Sequence, residues 1–170
     1  MDKRPFVSRS FLIMVVVTHL IWGSVGALAE PNDKAALSGL DEGKIVFDIT
    51  EGDGKKLLTK LNVIDETRQS LMQQGVTPHF VLTFRSGASR LVQTEMDKMT
   101  SENREYAPKI AAKLKEISQA PGIESLEQCS VALRLSTIEP ERVLPEIKVV
   151  GNGWISAMAY QARGYAYILP

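Results

Sequence analysis

Residues 44–54 read KIVFDITEGDG, a run of β-branched and aromatic residues followed by a glycine-containing turn. A run of this kind is typical of a buried strand. Apolar residues then recur at near-helical spacing from Leu57 to Leu71, and Gly75 ends that pattern. Residues 79–84 read HFVLTF, which is too continuously apolar to have one face in water. The sequence therefore predicts a strand, a turn, a helix and a second, interior strand.

The same alternation of strands and helices continues to the end of the chain. Helical spacing recurs from Tyr106 to Ile117, and shorter patterns predict the remaining elements. Five strands are predicted, at residues 44–50, 79–84, 123–128, 147–150 and 165–169. Because helical crossovers join them, the strands are expected to be mainly parallel. The predicted fold class is α/β: a three-layer sandwich with a five-stranded, mainly parallel sheet and helices on both faces.

Changes in composition predict the domain boundaries. Residues 44–170 carry the α/β pattern, and they are enough for one domain with one core. Residues 30–43 mix Pro, Asn, Asp and Gly without a hydrophobic period, so they are predicted to be a linker. Residues 1–29 precede that linker and consist of a basic start followed by a mostly apolar stretch.

The first 29 residues contain the three parts of a secretory signal peptide. Lys3, Arg4 and Arg9 form a basic start, residues 11–23 are mostly apolar, and Ala27-Leu28-Ala29 is a small-x-small end. Cleavage near Ala29 would release a periplasmic or secreted protein. The alternative is an uncleaved anchor, because the uncharged stretch is as long as the roughly 20 residues that a membrane span needs. Contact with a membrane is expected only through such an uncleaved segment.

Charge and histidine content exclude several classes of function. The formal net charge is zero, so the chain lacks the basic face that nucleic-acid binding requires. His79 is the only histidine after the predicted signal segment, which excludes a histidine-based metal site. It also starts a strand, on the wrong side of the sheet for a catalytic triad. No metal and no cofactor is expected.

Two loops at predicted strand ends carry polar groups where ligands of open parallel sheets bind. The segment EGDGK at residues 51–55 lacks the spacing of a phosphate-binding loop and predicts a turn in which Asp53 caps the following helix. The segment RSGASR at residues 85–90 is either an ordinary polar loop or an anion-binding loop. The anion-binding candidates in it are Arg85, Gly87, Ser89 and Arg90.

Cys129 is the sole cysteine of the chain, so it has no intramolecular disulfide partner. In an oxidising compartment an unpaired thiol is either buried or retained for its chemistry. At the predicted junction of a strand and a helix, the N–H groups of the helix start would favour the thiolate and so create a nucleophile. Cys129 is therefore the candidate catalytic residue, with a buried structural cysteine as the alternative.

The order of elements, with Cys129 closing the third strand, resembles that of the DsrE/DsrF-like sulfur-relay family. The resemblance covers residues 44–170 and is most specific toward the end of the chain. The matching segments are Cys129-Ser-Val-Ala-Leu133, Val143-Leu-Pro145, Ile147-Lys-Val-Val150, Asn152-Gly-Trp154 and Tyr160-Gln-Ala-Arg-Gly-Tyr165. Their spacing is similar to that family's Cys-x-x-x-Leu helix, its Leu-Pro, its Val-x-x-x-Gly turn and its closing Gln-x-x-Gly-Tyr.

The resemblance implies a three-layer fold in homo-oligomers, often trimers or hexamers, in which the matching cysteine carries sulfur as a persulfide. Together with the export signal, it implies a periplasmic sulfur carrier or sulfurtransferase-like protein in which Cys129 is the persulfide carrier. Arg85 and Arg90 would then hold an oxidised sulfur anion, and a sulfur donor or acceptor protein would be a partner. The rival hypothesis is a non-catalytic oligomeric binding or scaffold protein of the same fold.

Overall fold

The structure, a computed structural model, describes residues 31–170; the predicted signal peptide, residues 1–29, lies outside them. The strands are β1 (Glu42–Ile49), β2 (Thr77–Phe84), β3 (Ile123–Cys129), β4 (Lys148–Val150) and β5 (Ala166–Ile168). The α-helices are α1 (Gly54–Gln73), α2 (Ser101–Ser118), α3 (Ser130–Ser136) and α4 (Gly153–Ala162). Short 3-10 helices lie at Ser86–Arg90, Met96–Lys98 and Pro140–Arg142.

The five strands form one parallel sheet in the order β4-β3-β2-β1-β5. α1 and α2 pack together against one face of this sheet, and α4 packs against β1, β2 and β3 on the other face. The predicted fold class is thereby confirmed as a three-layer α/β sandwich. The pairing among these strands is entirely parallel, where the sequence predicted a mainly parallel sheet.

The face covered by α1 and α2 holds the main hydrophobic core. Apolar residues of both helices recur every three or four positions and so lie on one side of each helix. The fully or almost fully buried ones are Leu57, Leu61, Ile64, Ile110, Leu114 and Ile117. They meet alternate side chains of the strands, among them Phe47 and Phe80, whose ring centroids are 5.1 Å apart. The predicted cap of α1 is confirmed, since Asp53 accepts a hydrogen bond from the Lys56 backbone N–H at 2.9 Å.

The face covered by α4 has a smaller apolar cluster. Val46, Val81 and Ala157 form it, and the half-buried Tyr160 and Tyr165 pack against it. Further along the strands, the same face also carries polar groups, such as Asp48, which stands two residues after Val46 and is 2% exposed. One ten-residue helix therefore covers a surface that is partly polar.

The predicted linker and the segment between β2 and α2 both make contacts that the sequence did not predict. Residues 34–39 form turns, and the Asp33 N–H donates to Gln74 Oε1 at 2.8 Å before β1 begins. The stretch between β2 and α2 contributes Leu91 and Val92 to the main core. These side chains pack against distant elements, so their burial leaves no periodic pattern in the local sequence. Among residues 31–170, none of the helices has the length and apolar character needed to cross a membrane.

Candidate functional site

A cleft with a volume of about 680 Å³ lies beyond the carboxyl ends of the strands. β1 to β4 stand side by side in chain order, whereas β5 returns to the far side of β1. The connections that leave β3 and β4 therefore run in opposite directions, and such a switch point is the usual ligand site of open α/β sheets. Cys129 ends β3 beside Val150 of β4, and it lines the cleft. The volume is within the range of small-molecule sites.

Two glycines bring the loops after β1 and β2 into backbone contact where they line the cleft. A Cβ on Gly87 would lie 2.8 Å from the Gly52 Cα, so a larger residue has no room there. Asn103 of α2 holds the same region, because its Oδ1 accepts from the Gly54 N–H at 2.8 Å and its Nδ2 donates to the Gly52 carbonyl at 3.0 Å. Ser86 has a φ of 54°, a strained left-handed conformation for a residue other than glycine. The backbone of these two loops thus sets the shape of this side of the cleft.

Cys129 lines the cleft although its side chain is largely covered, with 4% of the residue exposed. It is the N-cap residue of α3 and it packs against the first residue of α4. A Cβ added to Gly153 would lie 3.2 Å from the Cys129 Cβ and 3.7 Å from its Sγ. Glycine at this position therefore lets α4 approach the thiol closely. The beginnings of helices carry free N–H groups, which favour negative charge nearby.

Arg85 lines the cleft as part of an ion pair. Its Nε and Nη2 donate to the two carboxylate oxygens of Asp48 at 2.6 and 2.5 Å, and the Tyr167 hydroxyl also donates to Asp48. The hydrogen bond with Asp48 raises the pKa of the Arg85 guanidinium. The Arg85 Cζ also lies 5.7 Å from the centroid of the Trp154 ring. Arg85 is therefore fixed between Asp48 and Trp154, and its charge is already balanced.

Arg90 and Lys98 add two further cations to the lining of the cleft. Lys98 pairs with Glu95 at 2.6 Å, whereas Arg90 is exposed and has no carboxylate partner within residues 31–170. The lining contains no Asp or Glu in this part of the chain. Since the formal net charge of the whole chain is zero, this local excess of positive charge distinguishes the cleft and favours anions.

Apolar side chains form much of the remaining lining. They come from the segment before α2, from α3 and from α4: Met99, Val131, Ala132, Leu135 and Trp154. Leu135 is 75% exposed and Trp154 is 68% exposed, so large apolar groups reach water here. The cleft therefore combines one thiol, an uncompensated cation and exposed apolar surface. No group of His, Cys, Asp and Glu that could hold a metal ion occurs among the described residues.

The structure brings together most of the predicted site residues. The cleft is lined by Cys129, Arg85, Gly87 and Arg90. Ser89 is buried instead, where it accepts a hydrogen bond from Gln128 Nε2 at 2.8 Å. This bond connects the loop to β3. Sequence reasoning missed residues 98–103, which reach the cleft through packing against residues far away in the chain. A helix-start signal was available at Thr100, which accepts a hydrogen bond from the Asn103 N–H at 3.2 Å.

The fold and the cleft define an α/β domain with a cysteine at a topological switch point. No family model matches the chain. Over 125 residues it is 27% identical to an uncharacterized protein of Aquifex aeolicus (strain VF5), a match that covers 74% of this chain and 55% of that protein. The chain thus spans about half the length of this relative.

A solved structure of a protein of unknown function from Methanobacterium thermoautotrophicum is similar to this fold, with a TM-score of 0.60 and 20% sequence identity. The match covers 75% of this chain and 99% of that one. At this identity the likeness shows the fold.

Proposed function

We propose that the chain is an exported sulfur-handling protein of the DsrE/DsrF-like kind, in which Cys129 accepts sulfane sulfur as a persulfide and passes it to an acceptor protein. The observation that carries this proposal is the position of Cys129, the sole thiol, in a cation-bordered cleft at the carboxyl ends of parallel strands. A fold supports many chemistries, so the proposal rests on the residues of the cleft.

The surroundings of Cys129 suit a sulfur carrier in two respects. The first residue of α4, Gly153, lies against the Cys129 side chain, so the only thiol of the chain stands at the start of one helix and beside the start of another. Arg90 has a guanidinium without a carboxylate partner in the described chain, and it can hold an oxidised sulfur anion. Arg85 does not offer a free cation in this way, because its guanidinium is paired with Asp48 and lies near the Trp154 ring at the side of the cleft.

Mass spectrometry of the intact full chain tests this proposal. After incubation with inorganic polysulfide, the protein is expected to gain the mass of one sulfur atom, about 32 Da, at Cys129. The Cys129→Ser variant is the matched control, because it keeps nearly the same size and lacks the thiol. A wild-type chain that gains no sulfur, or an adduct that persists in the Ser variant, would contradict the proposal.

The second candidate, a non-catalytic oligomeric scaffold, is favoured by an exposed apolar surface. We define the α4/β5 surface as the exposed apolar residues of α4, of β5 and of the position after β5: Trp154, Ile155, Met158, Tyr167, Ile168 and Leu169. β5 is an edge strand, and a second copy of the chain is the partner we propose for this surface. Burial of the Cys129 thiol also suits this candidate.

Light scattering tests the homo-oligomer, for which the family resemblance suggests a trimer or hexamer. Met158→Lys places a charge on the α4/β5 surface, where Met158 is 57% exposed, and is expected to lower the measured mass to that of a monomer. Lys115→Ala, at the far end of α2, is the control. A wild-type monomer at high protein concentration would contradict this part of the proposal.

Export is tested by N-terminal sequencing of the protein recovered from the periplasm or medium. We expect a first residue of Glu30, because Ala27-Leu28-Ala29 suits signal peptidase. An intact Met1 in the membrane fraction would indicate an uncleaved anchor.

A further inference from the structure

The lining of the cleft indicates which class of molecule delivers sulfur to Cys129. We propose that the donor is a small organic anion that joins an apolar group to a negatively charged sulfane group, as an aryl thiosulfonate does. This inference rests on the proposed function and names the substrate class of the same site.

The volume and the apolar lining of the cleft favour an organic donor over an inorganic one. The cleft measures about 680 Å³, which suits a ligand of many heavy atoms, whereas inorganic thiosulfate would fill a small part of it. Val131 and Leu135 line the same space as Cys129. A donor without an apolar group would leave these side chains in water, and an aryl group would cover them.

The charges in the lining of the cleft predict that the donor is an anion. Among the described residues the lining includes three cations and no carboxylate. Arg85 and Lys98 are paired with Asp48 and Glu95. Arg90 is left as the cation available to an incoming anion, and a guanidinium can donate two hydrogen bonds to a pair of sulfonyl oxygens.

The transfer step balances without an oxidant or reductant. The Cys129 thiolate attacks the outer sulfur of the thiosulfonate and forms a new S–S bond. The bond between the outer sulfur and the sulfonyl sulfur breaks, and its electron pair leaves with the sulfinate. The products are a Cys129 persulfide anion and a sulfinate, so the total charge is unchanged. Arg90 would stabilise the charge that develops on the departing sulfinate.

Binding is measured first, separately from transfer, by calorimetric titration of the full-length Cys129→Ser protein. The probes are benzenethiosulfonate and thiosulfate, which share the sulfane sulfur and differ in the phenyl group. Burial of the phenyl group is expected to make benzenethiosulfonate bind about tenfold more tightly. Equal affinities, or binding of neither probe, would overturn the inference.

Transfer is then followed as the rate of sulfur gain at Cys129 in the wild-type chain. Arg90→Ala is expected to lower the rate with benzenethiosulfonate about fivefold, because the leaving anion loses its cationic partner. Leu135→Ser is expected to lower the ratio of the benzenethiosulfonate rate to the thiosulfate rate. Arg90 and Leu135 are both exposed, so these changes spare the core. Lys115→Ala removes an exposed cation from the opposite end of α2 and is the control.

The two experiments separate failure of the inference from failure of the proposed function. If Cys129 gains sulfur equally from both probes and neither cleft variant matters, the donor class is wrong while the sulfur-carrier function stands. If Cys129 gains no sulfur from any donor but the Ser variant prefers benzenethiosulfonate, the cleft binds organic anions and the sulfur-carrier function is wrong.

Discussion

The two faces of the sheet are built differently although the same strands supply both. On the α1/α2 face, alternate strand residues such as Phe80 and Leu82 are fully buried against two long amphipathic helices. On the α4 face, the intervening positions include Asp48 and Glu127, which are almost fully buried but carry carboxylates. The helix over them leaves Ile155 and other large apolar side chains exposed on its outer side.

Three hydroxyl groups donate hydrogen bonds to the buried Glu127 carboxylate on the α4 face. Glu127 accepts hydrogen bonds from Tyr160 at 3.0 Å, from Ser125 at 3.2 Å and from Ser156. No cation pairs with Glu127 in the part of the chain that the structure covers. Apolar burial therefore stabilises the α1/α2 face, whereas hydrogen bonds to a buried carboxylate help to hold the α4 face.

The largest expected effect comes from the core of the α1/α2 face. Leu114→Ala removes a fully buried side chain and leaves a cavity, so we expect a loss of about 3 kcal/mol in the free energy of unfolding. Met158→Ala on α4 removes a side chain that is 57% exposed and is expected to cost less than about 0.5 kcal/mol. Urea denaturation of dilute full-length protein measures both. Similar losses for the two variants would show that the faces do not differ in this way.

The contrast between the faces also explains what the sequence could and could not predict. Spacing alone predicted α1, α2 and the interior strands, because apolar burial on one side leaves a helical or continuous pattern. Position at a strand end predicted Cys129 and Arg90 as cleft residues. The pairing of Arg85 with Asp48 and the contact of Gly87 with Gly52 join separate segments, so no local pattern carries them.

The next effect tests the ion pairs that Asp65 of α1 makes within its own helix and with α2. Asp65 is 4% exposed and pairs with Arg68 and Lys113, both at 2.8 Å. Burial alone would raise the pKa of Asp65, but the hydrogen bonds from Lys113 and Arg68 outweigh it and lower the pKa. Asp65→Asn is expected to cost about 2 kcal/mol in the free energy of unfolding at neutral pH, measured by urea denaturation.

The pH dependence of this contribution has a definite sign. Because the folded state favours the charged form of Asp65, the stabilisation is fully present above the ordinary aspartate pKa of 3.8 and is lost as the pH falls through the lower pKa of the folded state. The Asn variant is therefore expected to lose less stability in acid than the wild type. Glu105→Gln is the control, since the Glu105 pair with Lys109 is exposed and contributes little. A wild-type acid profile in the Asn variant would contradict this account.

The smallest effect probes the α4 face at alkaline pH. Burial, followed by the Glu127 charge, raises the pKa of Tyr160 to about 12 from its ordinary value of 10.0. The stabilisation from neutral Tyr160 is thus fully present below pH 10.0 and is lost as the pH rises through about 12. Tyr160→Phe removes one hydrogen bond to Glu127, so we expect it to cost about 1 kcal/mol at neutral pH and to make the alkaline loss of stability shallower. Urea denaturation at neutral and alkaline pH, with tyrosinate absorbance to follow ionisation, measures this effect. Tyr106→Phe on the α1/α2 face is the control, and an equal change in its alkaline profile would show that the Glu127 network is not the cause.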